Sequence, residues 1–250
     1  MTASLHTAHL QQNRILACLP SKERKTLKEA FELVSLYTKE ELNEVNTPIR
    51  YLHFPVGSAI SLIDSEPGGG SVEVAVVGME GCTGSTVVQG YMNAPCRVLV
   101  QVGGLAFRLN VSSLLKRLSQ LPFLRYALSR FSATMLREAI ISVGCSQLHS
   151  VEQRLGRWLL AHQHRTGRSA FPFTHDFLAE QLGVQRATIS EALASLQDRK
   201  IIRYTYRQVE LCKVRPMREL SCECFPRAKA AINEFLRDMQ TYPHAASHRG

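Results

Sequence analysis

Between residues 173 and 204 the apolar positions recur at helical spacing in two short segments that a glycine separates. Thr174 can cap the first segment, and Gly183 stands where that helix must end and the chain turn. The second segment, residues 185–199, has a core-facing stripe at i, i+4 and i+7, formed by Ile189, Leu193 and Leu196. The pattern predicts a helix-turn-helix, and residues 200–211 after it read as a small strand hairpin, or wing.

A different pattern occupies residues 48–110. Short runs rich in β-branched and aromatic residues alternate there with glycine or proline: IRYLHF, SAISLI, VEVAVV, STVVQ, CRVLVQV and LAFRL. Strands broken at such short intervals by turn residues predict an antiparallel sandwich or barrel. Residues 1–47 are more polar, with a discontinuous apolar face, and we expect them to be helical.

A long helix is predicted between these two regions. Pro122 suits its first turn, where the missing N–H costs nothing, and the helical pattern continues to Leu148. Its apolar positions are too many for one contact face: Leu124, Leu128, Phe131, Met135, Leu136, Ile140 and Val143. We expect one face to pack on its own β-domain and another to form a coiled-coil-like seam with a second copy of the chain. Ser150 and Gln153 then form a capping box for the next helix.

These segments predict an α+β chain in five parts. The first part is a helical segment at residues 1–47, and an antiparallel β-domain follows at 48–121. The other three are a dimerisation helix at 122–149, a winged helix-turn-helix at 150–224, and a carboxyl-terminal helix with a tail at 225–250. Helical patterns cover residues 217–223 and 226–239, and we expect residues 241–250 to be a disordered tail.

The polar face of residues 185–199 carries the candidate chemistry. Side chains that can bind base edges or phosphates crowd its amino end, which is the end of a recognition helix that enters the major groove. Arg186 can bind guanine bidentately, and Glu191 can accept from cytosine or orient Arg186 by an ion pair. The candidate DNA-binding residues, including those of the wing, are Thr174, Gln185, Arg186, Thr188, Ser190, Glu191, Arg203 and Arg207.

The positive net charge of the chain is consistent with binding to a polyanion such as DNA. The formal charge is +9, and residues 151–250 carry 16 basic and 10 acidic side chains. No apolar run approaches the ~18 residues of a membrane span. The first residues also lack the basic-then-apolar order of a signal peptide. We expect a cytoplasmic protein without a membrane partner.

The order of the parts resembles the CRP/FNR superfamily of bacterial transcription regulators, named after the cyclic-AMP receptor and the fumarate-nitrate regulator. The resemblance is carried by Ser150-Val151-x-x-Arg154-Leu155, by the helix-turn-helix and by Val77-Gly78-x-Glu80-Gly81-x-x-Gly84. It implies a homodimer with an amino-terminal sensory β-roll, similar to cyclic-nucleotide-binding domains, and a domain that reads a palindromic operator. It also implies that Arg186 donates to a guanine and that Thr188 binds phosphate.

The residues that would contact an effector differ from those of the family's cyclic-nucleotide binders. Gly84 is followed by Ser85 where they carry a ribose-binding Glu, and Arg97 is offset from the place of their phosphate-binding Arg. Ala139 and Ile140 stand where family members contact the purine with a Thr-Ser pair. These five are the effector-pocket candidates, although Arg97 is equally interpretable as a surface residue. We expect no tight binding of cyclic AMP or cyclic GMP, because polar groups of the ligand would be buried without partners.

The seven cysteines are scattered and do not suggest a disulfide scaffold. An iron–sulfur cluster of the family's oxygen-sensing branch needs four thiolates, and only Cys18 lies in the amino-terminal region that supplies them. Cys222 and Cys224 could chelate a soft metal or form a redox pair, but without a second pair or a nearby His the indication of zinc is weak. Structural thiols are the preferred interpretation, and we expect no metal site and no cofactor.

Several functions stay open. The preferred hypothesis is a homodimeric, sequence-specific regulator that binds double-stranded DNA, with RNA polymerase as a candidate partner and a small effector of unknown identity. The alternatives are a metabolite-binding sensory adaptor, and a redox- or metal-responsive regulator that uses Cys222 and Cys224. We do not expect an enzyme, since the β-domain has few acidic residues and no nucleophile–base pair stands out.

Overall fold

A buried asparagine joins the amino-terminal segment to the β-domain. The structure, a computed structural model, describes residues 9–66, 70–205 and 207–246. Asn13 caps helix α1 (Arg14–Ala17) with its side-chain oxygen. Its amide donates to the carbonyls of Pro55 and Gly81 at 3.1 and 2.8 Å. Helix α2 (Ser21–Leu27) follows.

The β-domain is a roll of two antiparallel sheets, with strand orders β1–β7–β3 and β2–β6–β4–β5. The strands are β1 (Phe31–Leu36), β2 (Glu41–Asn43), β3 (Tyr51–Val56), β4 (Ala59–Ser65), β5 (Ser71–Val77), β6 (Arg97–Val102) and β7 (Gly104–Asn110). Phe31, Phe54 and Phe107 are buried on one face of the first sheet. The ring of Phe31 meets the other two edge to face, at centroid distances of 5.7 and 6.2 Å.

Three predicted elements are wrong. Helix was expected within residues 31–43, where β1 and β2 are strands; β1 pairs with β7 along its whole length, and this tertiary pairing overrides weak local periodicity. The run STVVQ is a 3₁₀ helix, Ser85–Gln89, between Gly84 and Gly90, whose φ angles of 72° and 87° suit glycine. Residues 241–246 continue the last helix instead of forming a tail, and residues 247–250 lie outside the described residues.

The long helix forms as predicted. Helix α3 (Val111–Leu115) and a 3₁₀ turn lead into α4 (Pro122–Leu148), with Pro122 in its first turn. The first N–H groups of α4 would be orphaned inside the protein. The buried carboxylate of Glu23 accepts from two of them, those of Phe123 and Leu124, at 2.8 and 2.9 Å. Glu23 therefore caps α4 from a distant part of the chain.

The winged helix-turn-helix follows. Its elements are α5 (Val151–Thr166), β8 (Ala170–Phe171), α6 (His175–Leu182), α7 (Arg186–Asp198), β9 (Ile202–Thr205), β10 (Gln208–Leu211) and α8 (Val214–Leu220). The capping box of Ser150 and Gln153 opens α5. Gly183 ends α6 with a left-handed φ of 61°. The stripe Ile189, Leu193 and Leu196 is buried, as the periodicity predicts.

The last helix, α9 (Cys224–Ala246), packs along α4. Its Phe235 contacts Phe131 at a centroid distance of 5.3 Å, and the rings of Tyr242 and Tyr126 stack at 4.4 Å. None of the helices in the described ranges is long and apolar enough to span a membrane.

Helix α4 thus has three environments. Against the roll it buries Leu124, Leu128, Phe131 and Met135. A second side faces α9. The third side exposes Leu136, Ile140 and Val143, each by 61–64% of its surface. Met135, expected at the dimer seam, belongs instead to the core of the roll.

Candidate nucleic-acid interface and sensory cavity

The amino end of α7 is open to solvent. Gln185 is the residue before the helix, its side chain makes no capping hydrogen bond, and α7 starts at Arg186. Gln185, Arg186 and Glu191 are exposed, and Thr188 is half-buried. Exposed donors and acceptors at this end of a recognition helix can reach base edges or phosphates.

Arg186 is paired with a residue that the sequence did not suggest. Its Nε lies 3.1 Å from Oδ1 of Asp176 on α6, and the two side chains are 68% and 74% exposed. An ion pair with Arg186 was one of two roles predicted for Glu191, and Asp176 takes that place in the structure. An exposed pair of this kind stabilises the fold by at most ~1 kcal/mol, so Arg186 can exchange Asp176 for another acceptor at little cost.

Thr174 and Ser190 are already engaged within the protein. The hydroxyl of Thr174 accepts from the N–H of Phe177 at 3.2 Å and caps α6. Ser190 donates its hydroxyl proton to the carbonyl of Arg186 at 3.0 Å and lies 2.7 Å from Nδ1 of His175. The hydroxyl has only one proton, so both hydrogen bonds form together when Nδ1 of His175 carries its own proton. The contact between His175 and Ser190 holds α6 against α7.

The wing carries exposed basic residues. Arg203 on β9 donates to Oε2 of Glu210 on β10 at 2.9 Å. Arg207 lies in the turn between the strands, with a left-handed φ of 62°. Strand β9 contacts α7, so the wing lies beside the recognition helix.

A buried arginine joins the domains. Arg165, near the end of α5, is 2% exposed and donates to Oε1 of Glu80 at 3.0 Å and to both carboxylate oxygens of Glu138 at 2.6 Å. Glu80 belongs to the turn after β5, and Glu138 to α4. The arginine therefore contacts the roll, the long helix and the helix-turn-helix domain together.

The glycines around Glu80 explain the motif Val77-Gly78-x-Glu80-Gly81. A Cβ on Gly78 would lie 2.5 Å from Cβ of Arg165, and one on Gly81 would lie 1.9 Å from the ring of Phe131. Both positions require glycine because α5 and α4 press directly on this turn.

A second buried polar pair lies beside Arg165. Glu73 on β5 accepts from Ser61 at 2.5 Å, and its Oε2 lies 3.8 Å from Nε2 of His162 on α5. Burial raises the pKa of Glu73 to about 7 and lowers the pKa of His162 to about 3. Gln101 of the roll also donates to Gln181 of α6 at 2.8 Å. The helix-turn-helix is thus docked on the roll through buried polar contacts.

The roll contains a cavity of about 460 Å³ against α4. Gly84, Ser85 and Ala139 line it together with Asp64, Ser132 and Leu136, and Ser85 Oγ lies 2.8 Å from Ser132 Oγ. Among the residues that the structure describes, no arginine or lysine lines this cavity.

Two effector candidates lie elsewhere. Arg97 is placed outside the cavity, with its Nε 2.9 Å from Oε2 of Glu41 at the surface. Ile140 is 61% exposed on the outer side of α4 and does not line the cavity either. Helix geometry explains the second error, since adjacent positions are ~100° apart and Ala139 alone can face inward.

Residues 153–220, from α5 to the end of α8, match the family Crp-like helix-turn-helix domain. No curated protein sequence matches the chain significantly. Solved structures with a similar fold include FixK2 of Bradyrhizobium japonicum, with 17% identity and a TM-score of 0.62 over 77% of this chain and 98% of that one. The resemblance to the CRP/FNR superfamily is confirmed.

Two further structures support this fold assignment. The c-di-GMP-responsive global regulator CLP of Xanthomonas campestris has 13% identity and a TM-score of 0.61, over 75% of this chain and 96% of its own. TTHB099, a CRP-family transcriptional regulator of Thermus thermophilus, has 16% identity and a TM-score of 0.59 over the same shares. The β-roll, long helix and helix-turn-helix predicted from the sequence are therefore a CRP/FNR fold.

The buried carboxyl of Glu73 makes stability depend on pH. A raised pKa in the folded state means that its stabilising effect is complete below the unfolded pKa and is lost as pH rises towards about 7. Buried neutral His162 acts in the opposite direction, since its contribution is lost as pH falls below the ordinary His pKa. Glu73→Gln removes only the first effect and retains an acceptor for Ser61.

As the pH rises from about 4 to about 8, the free energy of unfolding of Glu73→Gln should increase by about 3 kcal/mol relative to that of the parent protein. Urea titrations across this range measure the difference. Glu66→Gln, at an exposed position of the same roll, should show no such trend. A Glu73→Gln difference that is constant with pH would contradict the burial of this carboxyl.

Proposed function

We propose that the chain is a sequence-specific DNA-binding transcription regulator that acts as a homodimer on a palindromic operator. The observation that carries the proposal is the exposed amino end of α7, with Gln185, Arg186 and Glu191, within a Crp-like helix-turn-helix domain. The names of two of the similar structures, a global regulator and a transcriptional regulator, support the same function.

Arg186 is the proposed base reader. On a duplex it exchanges Asp176 for O6 and N7 of a guanine, a bidentate contact worth ~1–3 kcal/mol of discrimination against other bases. Thr188, Arg203 and Arg207 are proposed to bind phosphates, which position the helix without reading sequence.

Replacement of Arg186 by Ala should remove the preference at one base pair per half-site and leave weak, salt-sensitive binding to any duplex. Arg203→Ala should instead weaken binding to all duplexes alike and reduce the salt dependence by about one phosphate contact. The measurement is affinity for a library of single-base operator variants at two salt concentrations.

The matched control is Arg108→Ala, which removes an arginine on the roll that pairs with Glu32 at 2.7 Å. Its operator affinity should equal that of the parent protein. If Arg186→Ala kept the full base preference at every position, Arg186 would not be a base reader.

The exposed side of α4 is the proposed dimer seam. Leu136, Ile140 and Val143 recur at i, i+4 and i+7 and are largely exposed, although Leu136 also borders the cavity of the roll. Two such stripes on antiparallel or parallel helices bury one another, and a two-fold axis there would present two copies of α7 to half-sites about one DNA turn apart.

A charge at the centre of this stripe tests the seam. Ile140→Glu should give a monomer of unchanged circular dichroism that binds operator poorly, because a carboxylate cannot be buried there without a partner. Arg137→Ala, on the neighbouring side that faces Glu234 of α9, should stay dimeric. Sedimentation that shows Ile140→Glu as dimeric as the parent protein would refute the seam.

The cavity of the roll is proposed to take a small effector other than a cyclic nucleotide. Its described lining offers no cation for a cyclic phosphate, and Ser85 and Ala139 replace groups that family members use for ribose and purine. Any ligand there would touch Ser132 and Ala139 of α4 and the turn that ends at Gly84, which are continuous with Glu138 and Glu80. Binding would therefore act on the carboxylates that hold Arg165.

A further inference from the structure

Three thiols and one imidazole converge where the end of α4 meets the start of α9. Cys145 lies in the last turn of α4, His149 follows that helix, Cys224 begins α9 and Cys222 precedes it. Each offers one ligand atom, and the four atoms all lie within 4.8 Å of one another. Sγ of Cys145 is 3.5 Å from Sγ of Cys222, and Sγ of Cys224 is 3.7 Å from Nδ1 of His149.

These distances match a tetrahedral metal site. Zinc bonds of ~2.3 Å to sulfur and ~2.0 Å to nitrogen place neighbouring ligand atoms about 3.4–3.8 Å apart. The two contacts above already have this length. Every other pair needs to shorten by no more than about 1.3 Å, within reach of side-chain rotation. Three cysteines and one histidine are also an established ligand set of structural zinc sites.

The surroundings orient the imidazole towards the thiols. Nε2 of His149 lies 3.1 Å from Oε1 of Glu223 and 3.2 Å from its Oε2. A carboxylate that accepts from Nε2–H leaves the lone pair on Nδ1, which is the atom facing Cys224, and zinc-bound histidines are held in this way. The three cysteines are buried, together with Ile141 and Ala228. This closed environment is typical of a structural site rather than a catalytic one.

A disulfide or an iron–sulfur cluster would account for the arrangement of the four side chains less completely. A disulfide between Cys145 and Cys222 would need an oxidant to remove two electrons and two protons, and it would leave Cys224, His149 and Glu223 without a role. An iron–sulfur cluster ordinarily takes four thiolates and holds several irons. A single divalent ion uses all four ligands and changes no oxidation state.

We propose that Cys145, His149, Cys222 and Cys224 bind one zinc ion, with the displaced thiol protons released to the solvent. The ion would tie the carboxyl end of the dimerisation helix to the junction between the helix-turn-helix domain and α9. The proposal replaces the interpretation of Cys222 and Cys224 as incidental thiols. The missing ligands, Cys145 and His149, lie more than seventy positions earlier in the sequence.

The test uses the full chain, reduced, stripped with a chelator and reloaded with Zn²⁺ or Co²⁺ alone. We expect one metal ion per chain by elemental analysis, and the visible absorption of thiolate-bound tetrahedral Co²⁺. Cys224→Ser should lose stoichiometric binding and this absorption. Glu223→Gln keeps all four ligands, and should weaken zinc binding ~10–100-fold while retaining the absorption.

The matched control is Cys212→Ser, which removes an exposed thiol outside the cluster and should bind metal like the parent protein. Three results would overturn the proposal. They are no metal uptake by folded, reduced parent protein; uptake that Cys224→Ser and Glu223→Gln leave unchanged; and a Cys145–Cys222 disulfide that forms in air in a protein that takes up no metal.

Discussion

A guanidinium buried between two carboxylates joins the three parts of this chain. Arg165 belongs to the helix-turn-helix domain, Glu80 to the roll and Glu138 to α4, and all three side chains are almost inaccessible to water. Removing a charge from water costs several kcal/mol, and the cost is offset only while its partners stay in place. Separating any of the three parts would leave an unpaired buried charge, so the ion triad fixes their relative positions.

If the proposed function holds, this constraint links the cavity to the proposed DNA-reading end of α7. Ser85 and Ala139 line the cavity, while Glu80 and Glu138 lie close by on the same turn and the same helix. A ligand that shifts the turn or rotates α4 must also move the acceptors of Arg165, and with them α5. The polar pair of Glu73 and His162, beside the triad, adds a group that changes charge near neutral pH to the same interface.

Local patterns in the sequence predicted the elements that local physics determines. The cap at Thr174, the capping box at Ser150 and the left-handed turn at Gly183 follow from hydrogen bonds and sterics within a few residues, and the structure has each of them. Strand β1 was missed because its stability comes from pairing with β7, more than sixty residues away. Periodicity also showed that α4 had excess apolar surface, but only the packed structure assigns Met135 to the roll.

Contacts between residues far apart in the sequence could not be predicted from it for the same reason. Glu80 was visible as part of a glycine motif, yet nothing in the sequence pairs it with Arg165, 85 positions later. Asp176 was overlooked because its partnership with Arg186 depends on how α6 crosses α7. The four proposed metal ligands form two short groups in the sequence, and neither group by itself indicates a metal site strongly. The packing of α9 on α4 brings the two groups together.

Calorimetric unfolding of Arg165→Met tests whether Arg165 makes the roll, α4 and the helix-turn-helix one cooperative unit. Without the arginine, two carboxylates stay buried and unpaired, which should lower the free energy of unfolding by ~3–5 kcal/mol. The single unfolding transition should then become two, with the helix-turn-helix unfolding first. Arg168→Met removes a more exposed arginine that crosses the same interface to the carbonyl of Gly103, and should keep one transition. A single transition of parental stability in Arg165→Met would show that the buried arginine does not join the roll, α4 and the helix-turn-helix.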